Sequence, residues 1–375
     1  MDSPSPKIVL ASVGDPRAPD TWSGITSGIL SGLTERAVVA CALDLELCRG
    51  LEQALLAGAA IPTHNRYDAE GAWLTAKVRS ARARGLLQGV PLDGAIQIGT
   101  GFKLPSDVPY VTLEDMTVRQ GTEIHPVFKR MSRRTIEGWE RRRARIYAGA
   151  RMCAVGSRWA ADSLVGDYGI PREKVAVVGF GANHLGASGD RDWSIPRFLF
   201  VGMDWQRKGG AGVLRAFSRL RQERPDAVLD LVGGHPDIQE LGVTSHGVLS
   251  RSRERDRTLI GALFARATCL VMPSEVEPFG IVHVEAASAG VPSIGTSVGG
   301  PKDVIGEGCG LLVQPADEEA LLNAMRRMAD ARTARRMGQT ARERSRLYTW
   351  THVAERLMRA LGFAALDGRP LAEFL

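Results

Sequence analysis

The stretch Glu277-Pro-Phe-Gly-Ile-Val-His-Val-Glu285 decides how the rest of this chain is interpreted. It follows the apolar run Cys269-Leu-Val-Met272 and leads into an apolar segment with a helical period. Strand, loop and helix in this order place the loop and the helix N-terminus at the carboxyl edge of a parallel sheet, where open α/β folds bind ligands. The unpaired amides and the dipole of the first helical turn favour an anion there.

Two glutamates lie eight residues apart in this stretch. If the helix starts near Gly280, Glu285 lies about one and a half turns into it, at roughly 3.6 residues per turn. Glu277 then lies in the preceding loop, and both carboxylates could accept hydrogen bonds from sugar hydroxyls in one cleft. The backbone amides of Phe279, Gly280 and Ile281 could contact a phosphate. Two glutamates alone leave an ordinary surface loop before an amphipathic helix as the alternative.

The whole string resembles the E-x7-E signature of retaining glycosyltransferases of family 4. Glu277 and Glu285 occupy the glutamate positions, and Ala286–Pro292, Gly299-Gly300 and Asp303-Val304 resemble the segment that follows in that family. The resemblance implies an α/β structure of the GT-B type, with two Rossmann-like domains facing each other across a cleft. It also implies that Glu277 binds hydroxyls of the donor sugar and that Glu285 binds the ribose.

The chain length suits this division into domains, since 375 residues are enough for two of medium size. We expect an N-terminal acceptor-binding Rossmann-like domain at 1–185 and a nucleotide-sugar-binding Rossmann-like domain at 195–350. The segment 351–375 is expected to be a C-terminal helix and tail that cross back to the N-terminal domain. Hydrophobic content of 44% and charged content of 24% are those of a soluble globular protein.

A second strand, loop and helix unit places two cations beside a helix N-terminus. Arg207 and Lys208 follow a strand that ends at Gly202, as a diphosphate site would require. In the resembled family a basic pair in this loop binds the donor diphosphate, and Lys208-Gly209 matches its usual lysine and glycine. The family's arginine commonly follows the strand glycine directly, where this chain has Met203, so Arg207 is expected to replace it. A solvated loop is the alternative.

Glycines after two other strands are candidate contacts with the donor. Gly24 follows the first strand and opens a helix that Ser23 is expected to cap. The resemblance places a glycine of this loop near the donor phosphates, and a plain helix start is the alternative. Strand Val228–Val232 ends at Gly233, where the missing side chain would let a ribose or base approach the backbone closely.

The N-terminal half departs from the resembled family at the end of strand Val108–Leu113. Family members often carry a histidine in this region, near the transferred sugar, whereas this chain reads Leu-Glu-Asp-Met-Thr. His125 could substitute for that histidine. Asp115 could orient the acceptor hydroxyl and is our fourth candidate catalytic residue. A solvated carboxylate and a surface histidine are the alternatives.

Neither a metal nor a cofactor is expected, and a nucleotide-diphosphate sugar would serve as co-substrate. The five cysteines are scattered without a C-x-x-C pair, and the D-x-D at Asp190–Asp192 lies in a polar linker. The net charge of +6 suits an anionic ligand. Neither G-x-G-x-x-G nor G-x-x-x-x-G-K-[ST] occurs in a strand–helix context, which argues against a dehydrogenase or a P-loop phosphotransferase.

Expected partners are the nucleotide-sugar donor and a small-molecule, glycan or lipid-linked acceptor, without nucleic acid. The basic segment Pro126–Ala148 predicts a helix whose charges are solvated or lie on an anionic membrane, with Trp139 packing inward. No apolar run reaches the roughly 20 residues that a membrane span needs. The first residues lack the pattern of a signal peptide, so we expect a cytoplasmic location.

Taken together, these features predict metal-independent transfer of a sugar with retention of configuration. The candidate catalytic residues are Glu277, Lys208, Arg207 and Asp115. A nucleotide-sugar epimerase or hydrolase on the same fold is one alternative, and a catalytically silent nucleotide-sugar-binding module is another. The base, the sugar, the acceptor and the oligomeric state correspond to no motif in the sequence.

Overall fold

The computed structural model describes residues 5–58, 72–124, 128, 131–183, 191–366 and 369–375. The chain divides into two compact units. Unit 1 comprises Met1–Gly179 and Trp350–Leu375, and unit 2 comprises Phe180–Thr349. Each unit contains a six-stranded parallel sheet with helices, so the predicted pair of Rossmann-like domains is confirmed.

The sheet of unit 1 has the strand order β2-β1-β3-β4-β5-β6, and its strands pair in parallel. Its inner strands are apolar on both faces and almost wholly buried, as expected for a parallel sheet covered by helices on both sides. The strands are β1 (Lys7–Ser12), β2 (Val39–Asp44), β3 (Gly94–Ile98), β4 (Tyr110–Glu114), β5 (Met152–Val155) and β6 (Val175–Val177).

Helices lie between most consecutive strands of this sheet. They are α1 (Ile25–Glu35), α2 (Arg49–Gly58), α3 (Trp73–Leu87), α4 (Val118–Ile124), α5 (Arg133–Gly149) and α6 (Arg158–Gly166). A 3-10 turn, Thr21–Gly24, precedes α1. The prediction that Ser23 caps α1 is wrong, because Trp22 and Ser23 adopt left-handed φ angles of 49° and 57° and the N-cap is Gly24, with φ of 84°.

The last helix of the chain, α13 (Trp350–Ala360), packs on α1 within unit 1. The two helix backbones come close because α1 has glycine at two positions one turn apart. A Cβ atom at Gly28 would lie 2.1 Å from the Trp350 ring, and one at Gly32 would lie 2.2 Å from the Trp350 carbonyl oxygen. A buried ion pair, Arg36 Nε to Glu355 Oε1 at 3.0 Å, also joins the two segments.

Unit 2 has the strand order β12-β11-β10-β7-β8-β9, again with parallel pairing. Counted within the unit, this is the order 3-2-1-4-5-6 of doubly wound dinucleotide-binding folds. The strands are β7 (Arg197–Gly202), β8 (Val228–Gly233), β9 (Val243–Ser245), β10 (Cys269–Met272), β11 (Ser293–Thr296) and β12 (Gly310–Val313).

Helices pack against this sheet and enclose an aliphatic and aromatic core that includes Phe198, Phe217 and Phe264. The helices are α7 (Gly210–Glu223), α8 (Glu254–Arg266), α9 (Ile281–Ser288), α10 (Pro301–Val304), α11 (Glu318–Met328) and α12 (Ala331–Ser345). A short antiparallel pair, β13 (Ala365–Leu366) and β14 (Arg369–Pro370), follows α13. None of the helices in the described ranges combines the length and the hydropathy needed to cross a bilayer.

Candidate functional site

Two loops of unit 2 follow strands that are hydrogen-bonded neighbours. β7 pairs with β10, while β8 and β11, the strands that come next along the chain from each, lie on opposite sides of this pair. At such a switch point the loops diverge and leave a crevice at the carboxyl ends of the strands. The loop after β7 carries Arg207 and Lys208, and the loop after β10 carries Glu277. The structure therefore brings together three residues that the sequence placed in one site.

The central contact is the ion pair between Lys208 and Glu277. The Lys208 ammonium donates to Oε2 of Glu277. The Ser274 hydroxyl donates to the same oxygen at 3.3 Å, and Arg207 Nη1 lies 4.0 Å from it. Arg207 Nη1 also donates to the Val276 carbonyl at 3.2 Å. Within the described residues these side-chain contacts fall on Oε2 and none falls on Oε1.

Glu277 is buried and remains charged. Burial acts to raise its pKa, but Lys208, Arg207 and His283 outweigh that effect, so its pKa lies below the ordinary value of 4.5. Removing one partner of a buried ion pair typically costs about 3–5 kcal/mol, because the other charge is left without compensation. Lys208 and Glu277 therefore hold each other in place.

Two glycines allow the backbone around Glu277 to pack this closely. Gly280 is the N-cap of α9 with φ of 81°, and a Cβ atom there would lie 2.6 Å from Cδ2 of His283. Gly299 has φ of 100°, and a Cβ atom there would lie 2.1 Å from the Glu277 carbonyl oxygen. The amide of Gly300 donates to that oxygen at 2.9 Å. The Phe-Gly turn and the later Gly-Gly pair thus position one carboxylate.

Phe279 is buried and belongs to the core of unit 2. Its ring packs edge to face on Phe180, with centroids 4.9 Å apart, and lies 6.2 Å from Tyr348. Its side chain therefore anchors the loop, and only its backbone could meet a ligand. Ile281 is the first residue of α9, so its amide belongs to the helix N-terminus, as the sequence predicts.

Glu285, the second glutamate, lies on α9 with partners that differ from those of Glu277. Arg251 Nη2 lies 3.5 Å from its Oε1. Burial raises the pKa of Glu285, and the Arg251 charge and hydrogen bonds from Asn183 offset this only in part. Arg251 and Asn183 were not among the sequence candidates. Each is a polar residue that follows a strand and a loop with glycine, and this pattern was the available sequence signal for a site residue.

His283 is a further residue that the sequence analysis did not single out. It is 1% exposed, and neither ring nitrogen has a hydrogen-bond partner among the described residues. Burial lowers its pKa to about 4, against the opposing effect of Glu277, so the ring is neutral at pH 7. It lies in the first turn of α9, against Gly280 and Gly295, and it fills the space behind Glu277.

Gly233 has φ of 119° at the end of β8. A Cβ atom there would lie 2.0 Å from the carbonyl oxygen of Gly202, its partner on β7. Strand pairing alone is thus enough to require glycine at this position. The predicted contact of Gly233 with a ribose or base stays a prediction.

A separate cavity of about 430 Å³ lies in unit 1. Its walls come from the loop after β1, including Asp20 and Trp22, and from the residues after β4, including Asp115. Both are carboxyl-end loops of the first sheet, so Asp115 lies where the sequence placed it, half-buried beside a ligand-sized space. Gly24 is the buried N-cap of α1 and directly follows the Thr21–Ser23 segment of this wall.

Arg143 reaches the cavity from α5 and ends in a buried ion pair with Glu114. Thr100 donates to the same carboxylate at 2.8 Å, and the Tyr147 hydroxyl donates to its other oxygen. For Arg143, the prediction of a solvated or membrane-facing charge is wrong, because the residue is only 7% exposed. The prediction that Trp139 packs inward is confirmed.

Two further expectations concern His125 and a bound metal ion. His125 lies outside the described residues. Within the described ranges, no group of three or more His, Cys, Asp and Glu side chains is arranged to hold a metal ion.

The sheet orders and the paired loops define a protein of the GT-B type, built from two Rossmann-like domains. Comparison with known families agrees. Residues 194–344 match the family described as "Glycosyl transferases group 1". Unit 2 thus contains a group 1 glycosyltransferase domain, as the resemblance at Glu277–Glu285 implied.

Individual proteins resemble this chain in sequence or in fold. The chain is 32% identical over 240 residues to the D-inositol 3-phosphate glycosyltransferase of Streptomyces avermitilis, covering 56% of this chain and 51% of that protein. It therefore spans about half the length of this curated relative. Sucrose-phosphate synthase from Thermosynechococcus elongatus has a similar fold, with a TM-score of 0.70 at 20% identity over 94% of this chain and 98% of that one. Anabaena HepE in complex with UDP and glucose also has a similar fold. Its TM-score is 0.63 at 18% identity, over 95% of this chain and 99% of that one.

Proposed function

We propose that this chain transfers a glycosyl group from a nucleotide-diphosphate sugar to an acceptor hydroxyl, with retention of anomeric configuration and without a metal ion. The observation that carries the proposal is the Lys208–Glu277 ion pair with Arg207 beside it, at the switch point of a group 1 glycosyltransferase domain. The donor-binding role falls to the domain at 195–350, and the acceptor-binding role falls to the domain at 1–185 with the C-terminal segment 351–375.

The difficult part of this reaction is the departure of a nucleotide diphosphate, whose negative charge grows in the transition state. Fixed positive groups aimed at that charge supply much of the catalysis in comparable enzymes. Lys208 and Arg207 are such groups, and the Gly280 and Ile281 amides at the start of α9 add the positive end of a helix dipole. Because these cations can neutralise the diphosphate, the proposal needs no divalent ion.

The two glutamates have separate roles in this proposal. Oε2 of Glu277 holds Lys208 and Ser274, which leaves Oε1 to accept a hydrogen bond from a hydroxyl of the donor sugar. Glu285 accepts hydrogen bonds from the ribose hydroxyls. Its pKa is raised in the unliganded chain. Hydrogen bonds from two hydroxyls would stabilise the charged form and lower that pKa again.

The chemical step then has a simple balance. The bond between the anomeric carbon and the leaving phosphate oxygen breaks, and a bond from that carbon to the acceptor oxygen forms on the same face. The acceptor proton passes to the leaving phosphate oxygen. Asp115 orients the acceptor hydroxyl, and Gly24 lets the loop after β1 approach the substrates. A cytoplasmic location, and an acceptor that is a small molecule, a glycan or a lipid-linked sugar, belong to the same proposal.

The first experiment is calorimetric titration of the chain with UDP, GDP, ADP and dTDP, each with and without a chelator. We expect one nucleotide to bind tightly with no change on chelation, and to bind much more weakly to Lys208→Ala. The matched control is Lys7→Ala. Lys7 is exposed and is the first residue of β1 in unit 1, so it lies at the amino end of its strand, away from the carboxyl-end loops. Binding of none of the four, or binding only with a divalent ion, would overturn the proposal.

Product analysis separates transfer from the other activities of this fold. The nucleotide identified by calorimetry is supplied as its sugar conjugates, with and without candidate acceptors, and the products are followed by NMR. A new glycoside with the anomeric configuration of the donor supports the proposal. Free sugar or an epimerised donor formed without an acceptor would indicate a hydrolase or an epimerase, and nucleotide binding without turnover would indicate a silent module.

A further inference from the structure

His283 is a buried polar side chain that no step of the proposed reaction uses. It is 1% exposed, and neither ring nitrogen has a hydrogen-bond partner among the residues that the structure describes. A buried polar group without a partner is unfavourable, and an apolar side chain of similar size would avoid that penalty. Packing alone therefore does not account for a histidine at this position.

The imidazole lies in a slot between Gly280, Gly295 and Ile305. A Cβ atom at Gly280 would lie 2.6 Å from Cδ2 of His283, and one at Gly295 would lie 3.3 Å from its Nε2. The Cδ1 atom of Ile305 would lie 2.4 Å from that second Cβ atom. Two glycines thus leave room for the ring inside the core of unit 2.

Glu277 lies at the same place. The Cβ position at Gly280 is 3.1 Å from Cγ of Glu277 and 3.4 Å from Nε2 of His283, so the two side chains flank one point. Burial lowers the pKa of His283 and the Glu277 charge opposes that shift, as expected for neighbouring groups. The imidazole is therefore adjacent to the carboxylate, although no hydrogen bond joins them.

In the unliganded chain Glu277 has cations as partners instead. Lys208 donates to its Oε2, and Arg207 Nη1 lies 4.0 Å from the same oxygen. Under the proposed function the donor diphosphate competes for both cations. Lys208 carries a single charge on a flexible stem, so it cannot fully compensate the carboxylate and the diphosphate together. A buried carboxylate that loses its cation is strongly unfavourable unless another donor replaces it.

We propose that His283 is the reserve partner of Glu277: when the donor diphosphate draws Lys208 away, an imidazole N–H donates to the carboxylate and keeps it aimed at the donor sugar. A neutral imidazole always has one N–H, and hydrogen bonds to ionised groups are stronger than those between neutral groups. His283 is thus a positioning residue that acts through Glu277. The exchange on donor binding rests on the proposed glycosyl transfer, whereas the pairing of His283 with an uncompensated Glu277 does not.

The first test uses no ligand and asks whether His283 matters only when Lys208 is missing. His283→Leu removes the N–H and is made in the wild type, in Lys208→Met and in Glu277→Gln. In the wild type and in Glu277→Gln, the melting temperature should stay unchanged or rise, because a buried donor without a partner is removed. In Lys208→Met it should fall by about 3 °C or more, because a donor to a buried, uncompensated charge is lost. Scanning calorimetry measures all three.

Ile305→Val is the matched control, because Ile305 is buried in the same slot and its side chain forms no hydrogen bond. Its effect on the melting temperature should be the same in the three backgrounds, as for substitutions that share no partner. Lys208→Gln, which also removes the ammonium charge, replaces Lys208→Met should that background not fold.

A second test follows the exchange by calorimetric titration with the nucleotide selected above and with its sugar conjugate. His283→Leu should weaken binding of the conjugate about tenfold and binding of the free nucleotide only a few-fold, because only the conjugate presents sugar hydroxyls to Glu277. His283→Gln keeps an N–H in the slot and should restore most of the affinity.

The same fall in melting temperature in all three backgrounds, or no change in any, would show that His283 only fills the slot and would overturn the inference. Equal weakening of nucleotide and conjugate, or no rescue by His283→Gln, would overturn its role in donor binding. These results are distinguishable from failure of the proposed function. Coupling of His283 to Lys208 without any nucleotide binding would reject glycosyl transfer and leave the pairing of His283 with Glu277 in place.

Discussion

The two units have similar parallel sheets, but the described charged residues at their candidate sites differ in sign. Each has a parallel sheet with a switch point, at β1 and β3 in unit 1 and at β7 and β10 in unit 2. Around the loops of unit 2, Lys208, Arg207 and Arg251 surround two glutamates. Among the described residues that line the cavity of unit 1, carboxylates outnumber guanidinium groups.

Under the proposed function, sheet topology would locate a ligand and loop chemistry would select it. A diphosphate is the same group in every nucleotide-sugar, so one compact pattern of cations and glycines can serve many donors. Acceptors differ in charge and shape, and their binding groups come from several separate segments. The predictions below test this contrast, from the largest expected effect to the smallest.

The largest effect is expected for Lys208→Ala. The variant removes a cation from the leaving group and leaves Glu277 buried without its main partner. Turnover should fall at least a hundredfold, since losing one comparable electrostatic donor costs about 3–4 kcal/mol. Steady-state kinetics measure the loss, and circular dichroism and thermal unfolding check that the variant folds. Near-normal turnover in a folded variant would show that Lys208 does not stabilise the leaving diphosphate.

A large effect confined to unit 1 is expected for Gly32→Ala. The new Cβ atom would overlap the Trp350 carbonyl, and separating α1 from α13 should cost about 1–3 kcal/mol of the free energy of unfolding. Urea denaturation measures it. Nucleotide affinity, which we assign to unit 2, should change far less.

Gly85→Ala is the matched control for this helix–helix contact. Gly85 lies in α3, and a Cβ atom there would meet nothing within 4 Å. The same exchange should stabilise the chain by roughly 0.5–1 kcal/mol, because alanine favours the helix. If both variants changed stability with the same sign, the close approach of α1 and α13 would not be the cause.

The two glutamates of unit 2 should respond to pH in opposite directions. The pKa of Glu277 is lowered in the folded chain, so its contribution is present above the ordinary value of 4.5 and is lost as pH falls through the folded pKa. The pKa of Glu285 is raised, so the folded chain binds its proton more tightly and stability falls as pH rises above 4.5.

Glu277→Gln and Glu285→Gln test these signs. Relative to wild type, Glu277→Gln should become less stable as pH rises from about 3 to 7, whereas Glu285→Gln should become more stable, each by about 1.4 kcal/mol if the folded and unfolded pKa values differ by one. Urea unfolding at a series of pH values gives both curves. Parallel curves would show that the two carboxylates share one environment.

The smallest effect is expected for Arg207→Lys. The substitution keeps the positive charge but loses the bond from the guanidinium group to the Val276 carbonyl and shortens its reach toward Glu277, which is 4.0 Å away. Nucleotide affinity should fall only a few-fold, by about 0.5–1.5 kcal/mol for one hydrogen bond. A loss as large as that of Lys208→Ala would make Arg207 the principal cation instead.

Much of unit 2 could be predicted from the sequence because its contacts are local or belong to a compact motif. Apolar runs gave the strands, and the Phe-Gly turn marked the start of α9, where Gly280 is the N-cap. The sequence placed Lys208 and Glu277 in one site, but the ion pair between them was not predicted. Arg251 and Asn183 were not predicted as partners of Glu285, because a polar residue after a glycine-containing loop does not specify which side chain it will contact.

Unit 1 was harder to predict, since its key contacts depend on packing. Arg141, Arg142 and Arg143 look alike in the sequence, and only the rotation of α5 buries Arg143 against Glu114. Ser23 is a good capping residue by type, but the left-handed backbone before α1 moves the cap to Gly24. The described charged residues of the cavity lie far apart in the sequence, from Asp20 to Arg143, so no single motif encodes its charge.

The packing of Trp350 against Gly28 and Gly32 has a consequence for the order of events during synthesis. Unit 1 is discontinuous, so its first 179 residues leave the ribosome without the helix that covers α1. Unit 2 is continuous, and all its contacts can form before α13 has been translated. Multidomain chains generally fold from the N-terminus, with each domain as a unit. In this chain unit 2 can complete its folding before unit 1. Until α13 has been translated, the surface of α1 that it covers stays exposed and can bind chaperones.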